Sequence, residues 1–400
     1  MIEPKWRFSR SHMTAYRTCP FYYWNRFHAD GTGYEKKILN AGLSKGTMAH
    51  SILQGVLSIA RDEDRVPSAD ELRDMFKAER IVYRMAIEKR GLEDVEEEFV
   101  ADETNANMAL VEGVVRSWAR MRLPILMEDY KVIGVEKETE VVLSDDGVTV
   151  MCRPDAYLQH RTSGSIVPLE FKTTSTNLDN YFQSWQYATQ VMVHLLAAEK
   201  EYGQMGDGVR MEFLYTGYKR KDKMSGQILY YSPLVKGFVK YGNPPLNDDE
   251  YAWGNEMSRK AGWSGFYVWD HSFAGKPAYM TDQEYWTEHV LDNFALSAHL
   301  FDRMVYRNDD DIKEWVAGAV QTQRKIFVGV QAMASASQEA DREIAKAAFF
   351  PANKDEGCFS NKYHKKCEFL PYCYHEVDKL AGCSLYVVRE PHHEMEFEVE

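Results

Sequence analysis

The spacing of hydrophobic and polar positions changes several times along this chain, and each change marks an element. Residues 9–28 (SRSHMTAYRTCPFYYWNRFH) begin with serines suited to helix capping and continue with helical, aromatic-rich spacing. Pro20 has no amide hydrogen and is expected to kink this run or start a new turn, with Cys19 at the break. Residues 29–45 are polar and Gly-containing and predict a loop. In 46–60 (GTMAHSILQGVLSIA), His50, Leu53 and Leu57 share one helical stripe. Residues 68–123 predict two helices with charged outer faces, broken near Gly91 and ended by Pro124. The period then falls to two. Residues 131–143 and the two runs within 147–172 predict strands, joined by Ser144-Asp145-Asp146-Gly147 and by the polar turn HRTSGS, and together an antiparallel meander. Residues 181–200 predict one helix. Residues 208–218 predict another strand, with 227–232 expected to pair with it across a basic loop. Residues 236–278 are rich in Gly, Pro and Trp and give no clear period. Residues 281–306 and 309–340 predict two helices, and the tail after Cys383 is expected to be mobile.

The stretch 147–172 carries the candidate chemistry. Its first strand holds Pro154-Asp155 and its second holds Glu170-Phe171-Lys172. Side chains two apart in a strand share a face. Glu170 and Lys172 therefore point one way, while Val167, Leu169 and Phe171 point to the core. An Asp from one strand and a Glu/Lys pair from the next can meet in one place. Two carboxylates suit a hard divalent cation such as Mg²⁺. A neighbouring lysine can orient a water and steady developing negative charge. That is apparatus for metal-assisted phosphodiester hydrolysis, although the same letters occur in ordinary strands with a surface Glu–Lys pair. Downstream, Gln183, Gln186, Gln190 and His194 recur at helical spacing, either as a solvent face or as amides lining a cleft. Taken alone, His50 on a core-facing stripe reads as a hydrogen-bonded core histidine before it reads as a ligand.

Composition narrows the class. The 400 residues are 44% hydrophobic and 27% charged, with 24 Tyr, 19 Phe and 9 Trp, which excludes disorder over most of the length. No apolar run approaches the roughly 20 residues that span a bilayer, and the N-terminus lacks the apolar stretch of a signal peptide, so a cytoplasmic protein with no membrane partner is expected. The net charge of −13 argues against unselective coating of nucleic acid. Local basic patches, Lys219-Arg220-Lys221-Lys223 and Lys362-Lys365-Lys366, are compatible with phosphate binding or with solvated loops. Trp253, Trp263 and Trp269 could pack or stack on single-stranded bases. Of the six cysteines, Cys358, Cys367 and Cys373 cluster near the C-terminus, which points to metal or reactivity rather than to disulfides in a reducing compartment.

Taken together, SHMTAYRTCPFYYW, GTMAH, the literal PD and EFK, the Gln-rich run and the terminal cysteines resemble the RecB-like branch of the PD-(D/E)xK nuclease superfamily. That branch includes the nuclease domains of RecB and AddB, CRISPR-adaptation nucleases and phage exonucleases. The resemblance implies an α/β, restriction-endonuclease-like core, a central mixed sheet flanked by helices, with a helical insertion and an iron–sulfur cap. It implies a Mg²⁺- or Mn²⁺-dependent deoxyribonuclease, an exonuclease acting on DNA ends or single strands, with a helicase or recombination partner supplying any unwinding. Asp155, Glu170 and His50 would hold the metal, joined by the Phe171 carbonyl, and Lys172 would position the attacking water. Of the two registers of the family's Gln-x-x-x-Tyr motif, Gln183 with Tyr187 fits the letters, and Gln186 with Gln190 is preferred as site-facing. Cys19, Cys358, Cys367 and Cys373, with eight and five residues between the later three, would ligate a [4Fe–4S] cluster. Four thiolates suit zinc equally. Cys152 is expected in the core and Cys383 as a free thiol. The rival readings are a catalytically silent nuclease-fold DNA-binding protein and a zinc-stapled recombination subunit. The expected organisation is N-terminal helices over 1–60, a helical insertion over 61–130 and the nuclease core over 131–235. An aromatic-rich insertion (236–280), the cluster-bearing C-terminal region (281–383) and an acidic tail (384–400) follow.

Overall fold

The computed structural model of the chain describes residues 8–36, 41–89, 111–116, 118–174, 178–206, 208–215, 220–221, 228–232, 237–240, 300–353 and 367–389. The predicted break at Gly91, Cys358, the three tryptophans of the aromatic insertion, Lys219, Lys223 and the lysines at 362, 365 and 366 lie outside these residues.

Two short helices open the chain, α1 (Arg10–Thr18) and α2 (Pro20–Phe27), with Pro20 starting the second and Cys19 between them. After β1 (Tyr34–Lys36) come α3 (Ala41–Glu63) and α4 (Ala69–Lys89), then α5, helical over 111–116 and 118–121, and α6 (Leu123–Asp129). Pro124 sits in the first turn of α6 rather than ending a helix, because its missing N–H is no loss there.

The central sheet has the order β11 (Leu300–Tyr306), β7 (Gly208–Tyr215), β6 (Ile166–Thr174), β5 (Ala156–His160), β2 (Tyr130–Val135). Only β6 and β7 run parallel, and such a pair needs a long crossover, here α7 (Leu178–Gln186) and α8 (Gln190–Tyr202). The sheet is buried on both faces. Val167, Leu169 and Phe171 pack with α3, α5 and Trp118 on one side, whereas Ile166 packs with Ala198 and Tyr202 of α8 on the other. Glu170 and Lys172 therefore face α8, as the alternation predicts.

The meander is only half formed. β2, β5 and β6 pair antiparallel, but β3 (Thr139–Val142) and β4 (Thr149–Cys152) leave the sheet as a separate hairpin. Two interruptions cause this. Glu136 adopts a left-handed φ of 46° that ends β2, and Pro154-Asp155 separates β4 from β5. Both free edges of β7 are occupied, by β6 and β11, so the segment expected to pair with it, β9 (Ile228–Ser232), pairs instead with β8 (Arg220–Lys221) and β10 (Gly237–Lys240). β11 falls where a helix was predicted. Its Leu300 and Val305 are buried against the sheet, and edge pairing overrides the helical spacing. Two further long helices are α9 (Asp309–Ser335), capped by Asn308, and α10 (Glu339–Phe349).

The N- and C-terminal parts of the described chain are joined. β1 pairs with β12 (Tyr386–Val388), within the stretch expected to be a mobile tail. Phe21 of α2 stacks on Tyr372 of α11 (Leu370–Cys373) at 5.8 Å, and Arg26 bonds Glu368 at 2.7 Å. No helix among the described residues is long and apolar enough to cross a membrane.

Candidate active site

The site forms where β6 outruns its neighbour. Pairing of β5 with β6 stops at Ala156–Leu169, while β6 continues to Thr174 against β7 alone. Asp155 lies at this splayed edge, and its Oδ2 accepts the Phe171 N–H at 2.6 Å, in place of a strand partner. Its Oδ1 is 2.7 Å from His50 Nδ1. His50 arrives on α3, which approaches β6 closely because Gly46 leaves room: a Cβ there would come within 3.1 Å of Thr173 Oγ1. The glycine and histidine of GTMAH thus do linked jobs, one admitting the helix and the other delivering the imidazole.

Glu136 completes a group that the sequence did not disclose. One ligand atom from each of His50, Glu136 and Asp155 lies within 4.8 Å of the other two. The left-handed turn at Glu136 places it there, with its N–H donating to the Asp155 carbonyl at 3.1 Å. Burial, and then the Asp155 charge, push the Glu136 pKa up to about 7. Burial would lower the His50 pKa, but Asp155 raises it on balance. Two carboxylates and an imidazole crowded together, one carboxyl reluctant to ionise, form a donor set that a divalent cation would neutralise. The fit to a bound metal is therefore good.

Glu170 stands apart from that group. Its carboxylate is buried, with Oε1 accepting from Lys172 Nζ and from Gln190 Nε2 at 2.8 Å. Oε2 lies 3.0 Å from His194 Nε2. Burial would raise the Glu170 pKa, but Lys172 and His194 hold it well below the usual carboxylate range. His194 is itself fixed from behind by Cys152, with Sγ 3.1 Å from Nδ1. Burial disfavours its charge, yet Cys152 and Glu170 raise its pKa to about 10. The Lys172 ammonium also lies 4.7 Å over the Trp185 ring, a cation–π contact that keeps it at the site. Phe171 turns its side chain away into the core, edge-on to Trp118 at 4.8 Å.

The predicted Gln186 does not reach the carboxylates. The expected single helix breaks at 187–189, so α8 restarts in a new phase and presents Gln190 and His194, one turn apart, to Glu170. Gln183 and Gln186 are exposed, and Tyr187 is 77% exposed. The missed residues are thus Glu136, Gln190 and His194. The last two were visible as members of the polar stripe, but Glu136 carried no signal in a strand-like run.

Among the cysteines, Cys19 lies where the N- and C-terminal parts meet, its sulfur accepting the Asn353 N–H at 3.4 Å. Cys367 and Cys383 border a small core of Tyr34, Phe369, Leu380 and Tyr386, and Cys373 is buried. Among the described residues no three cysteines lie within 4.8 Å of one another, and Cys358 is outside them.

No curated protein matches the chain. A family profile described as the PD-(D/E)XK nuclease superfamily matches residues 7–374, which includes every site residue above. The mixed sheet flanked by helices and the acidic group at the open end of β6 agree with that match. The chain belongs to the PD-(D/E)XK nuclease superfamily, whose members are metal-dependent nucleases.

Proposed function

We propose that this chain is a Mg²⁺- or Mn²⁺-dependent DNA exonuclease acting in the processing of DNA ends during replication, recombination or repair. The observation that carries the reading is the meeting of His50, Glu136 and Asp155 beside the Glu170–Lys172 pair at the open end of β6. His50, Glu136 and Asp155 would hold the cation, joined by the Phe171 carbonyl, while Glu170, expected as a ligand, is instead engaged with Lys172, Gln190 and His194. A divalent cation there would neutralise phosphate charge and lower the pKa of a bound water. Lys172 orients the attacking water and meets the negative charge that develops on phosphorus-bound oxygen. Glu170 holds the lysine in place, and Gln190 and His194 hold Glu170. Asp155, tied to the Phe171 amide, is prevented from swinging away from the scissile group.

Cys19, Cys358, Cys367 and Cys373 are proposed to ligate a structural [4Fe–4S] cluster, with zinc as the alternative. The joining of the N- and C-terminal regions supports it, because Phe21, two residues after Cys19, stacks on Tyr372, next to Cys373. Anaerobically purified protein should be brown and contain iron. A colourless protein with stoichiometric zinc would replace the cluster with a zinc site and leave the nuclease reading standing.

The test of activity is a time course on end-labelled single-stranded and duplex DNA with Mg²⁺, Mn²⁺ or chelator. An exonuclease releases labelled mononucleotides or short oligonucleotides from the first time points. Internal fragments at early times would make it an endonuclease, and intact DNA with both metals would refute the reading.

A further inference from the structure

A cleft of about 650 Å³ opens beside the site, between α1 and α7. One wall presents Arg10 and Arg17, and the other presents Tyr181, Trp185 and Tyr187, with Thr189 between them. Four observations give it a chemical character. No carboxylate lies among the described residues that line it, although the chain carries a net charge of −13. Arg10 and Arg17 direct their Nε groups to the hydroxyls of Thr189 and Thr322 at 2.9 and 3.0 Å, neutral partners that leave the rest of each guanidinium able to meet a phosphate, and Arg10 lies near enough to Glu170 to feel its charge. Tyr187 lines the cleft and is 77% exposed, so its ring face is accessible to a base. Finally, Trp185 lines the cleft and also carries the Lys172 ammonium 4.7 Å over its ring, so the cleft adjoins that lysine.

Basic side chains facing aromatic rings along a groove are what a single strand requires. The cations follow the phosphates, and the rings stack on bases of any identity. Bases in a duplex are already stacked on one another and offer such rings only their edges. We infer that the α1–α7 cleft binds single-stranded DNA, with Arg10 and Arg17 on its backbone and Tyr187 stacked on a base, and leads the strand to Lys172. This rests on the nuclease reading for its direction of travel but not for the binding itself.

The test reads binding without cleavage. Fluorescein-labelled oligothymidylate and a blunt duplex are titrated in EDTA with wild type, Tyr187→Ala and Arg17→Gln, by fluorescence anisotropy over a salt series. Because Tyr187 is exposed, its removal leaves the fold intact, which circular dichroism verifies. Tyr187→Ala should weaken single-strand binding by about fivefold or more. Arg17→Gln should reduce the slope of log affinity against log salt by about 0.7, the value for one phosphate contact on a single strand. Unchanged single-strand affinity in both variants overturns the inference, as does an equal loss on the duplex or failure of wild type to bind. The two claims separate cleanly. A protein that binds through the cleft but digests nothing with Mg²⁺ or Mn²⁺ supports the cleft and sinks the nuclease. A digesting protein whose variants bind normally does the reverse.

Discussion

The clamp on Glu170 gives the most quantitative prediction. His194 and Glu170 are both buried, with side chains 3% and 4% exposed and charged atoms 3.0 Å apart. Removing one member of such a pair strands the other, at a cost of about 3–5 kcal/mol. Coulomb attraction at that distance with an effective dielectric near 20 is of the same order, about 5 kcal/mol. Typical total stabilities are about 5–15 kcal/mol, so His194→Ala should lower the urea midpoint sharply. Lost packing contributes as well, and a double-mutant cycle with Glu170→Gln isolates the pair. The coupling should be about 1–3 kcal/mol at pH 6. Its pH dependence follows from the two pKa shifts. His194 is raised from an unfolded value near 6.5 to about 10, so its contribution is complete below pH 6.5 and is lost as pH rises through 10. Glu170 is depressed, so its contribution is present above the unfolded value near 4.3 and is lost on acidification. The coupling should therefore be greatest near pH 5–6.5 and decline towards pH 10. A coupling under about 0.5 kcal/mol at pH 6, or one that is flat to pH 10, would refute the charged clamp.

Three further outcomes follow from the same geometry. Gln190→Ala should reduce kcat by releasing Glu170 and thus Lys172, whereas Gln186→Ala should match wild type; the reverse result would restore the Gln186 register. Mn²⁺ affinity, measured by calorimetry, should rise as pH increases through about 7, because Glu136 must lose its proton to bind, and Glu136→Gln should flatten that dependence. Phe171→Ala should destabilise the fold by about 3–5 kcal/mol in denaturant titrations, since its ring is fully buried against Trp118.

These residues also show which parts of the fold were legible in the sequence. The strand alternation around Glu170 and Lys172 was readable because a period of two assigns faces unambiguously, and both faces fell as expected. Pro20 marked its break because proline acts through its own backbone. Glu136 was invisible, because a non-glycine residue at positive φ has no signature within KVIGVEKETEVVL. The α7–α8 break at 187–189 has neither Gly nor Pro, and a few residues of turn are enough to rotate the next helix and exchange Gln186 for Gln190. β11 became a strand because β7 offered it a free edge, a cause that lies 86 residues away in the chain, at Leu214 opposite Leu300. Local spacing does not encode such pairings.

The proposed chemistry needs Lys172 to act upon a phosphodiester at a metal held by His50, Glu136 and Asp155. The direct measurement is single-turnover digestion of end-labelled DNA by wild type and Lys172→Ala, with Mn²⁺ binding measured on both proteins. Wild type should cleave in a metal-dependent way and Lys172→Ala should lose at least about a hundredfold in rate, with Mn²⁺ binding retained. Cleavage at the wild-type rate by Lys172→Ala would contradict that chemistry.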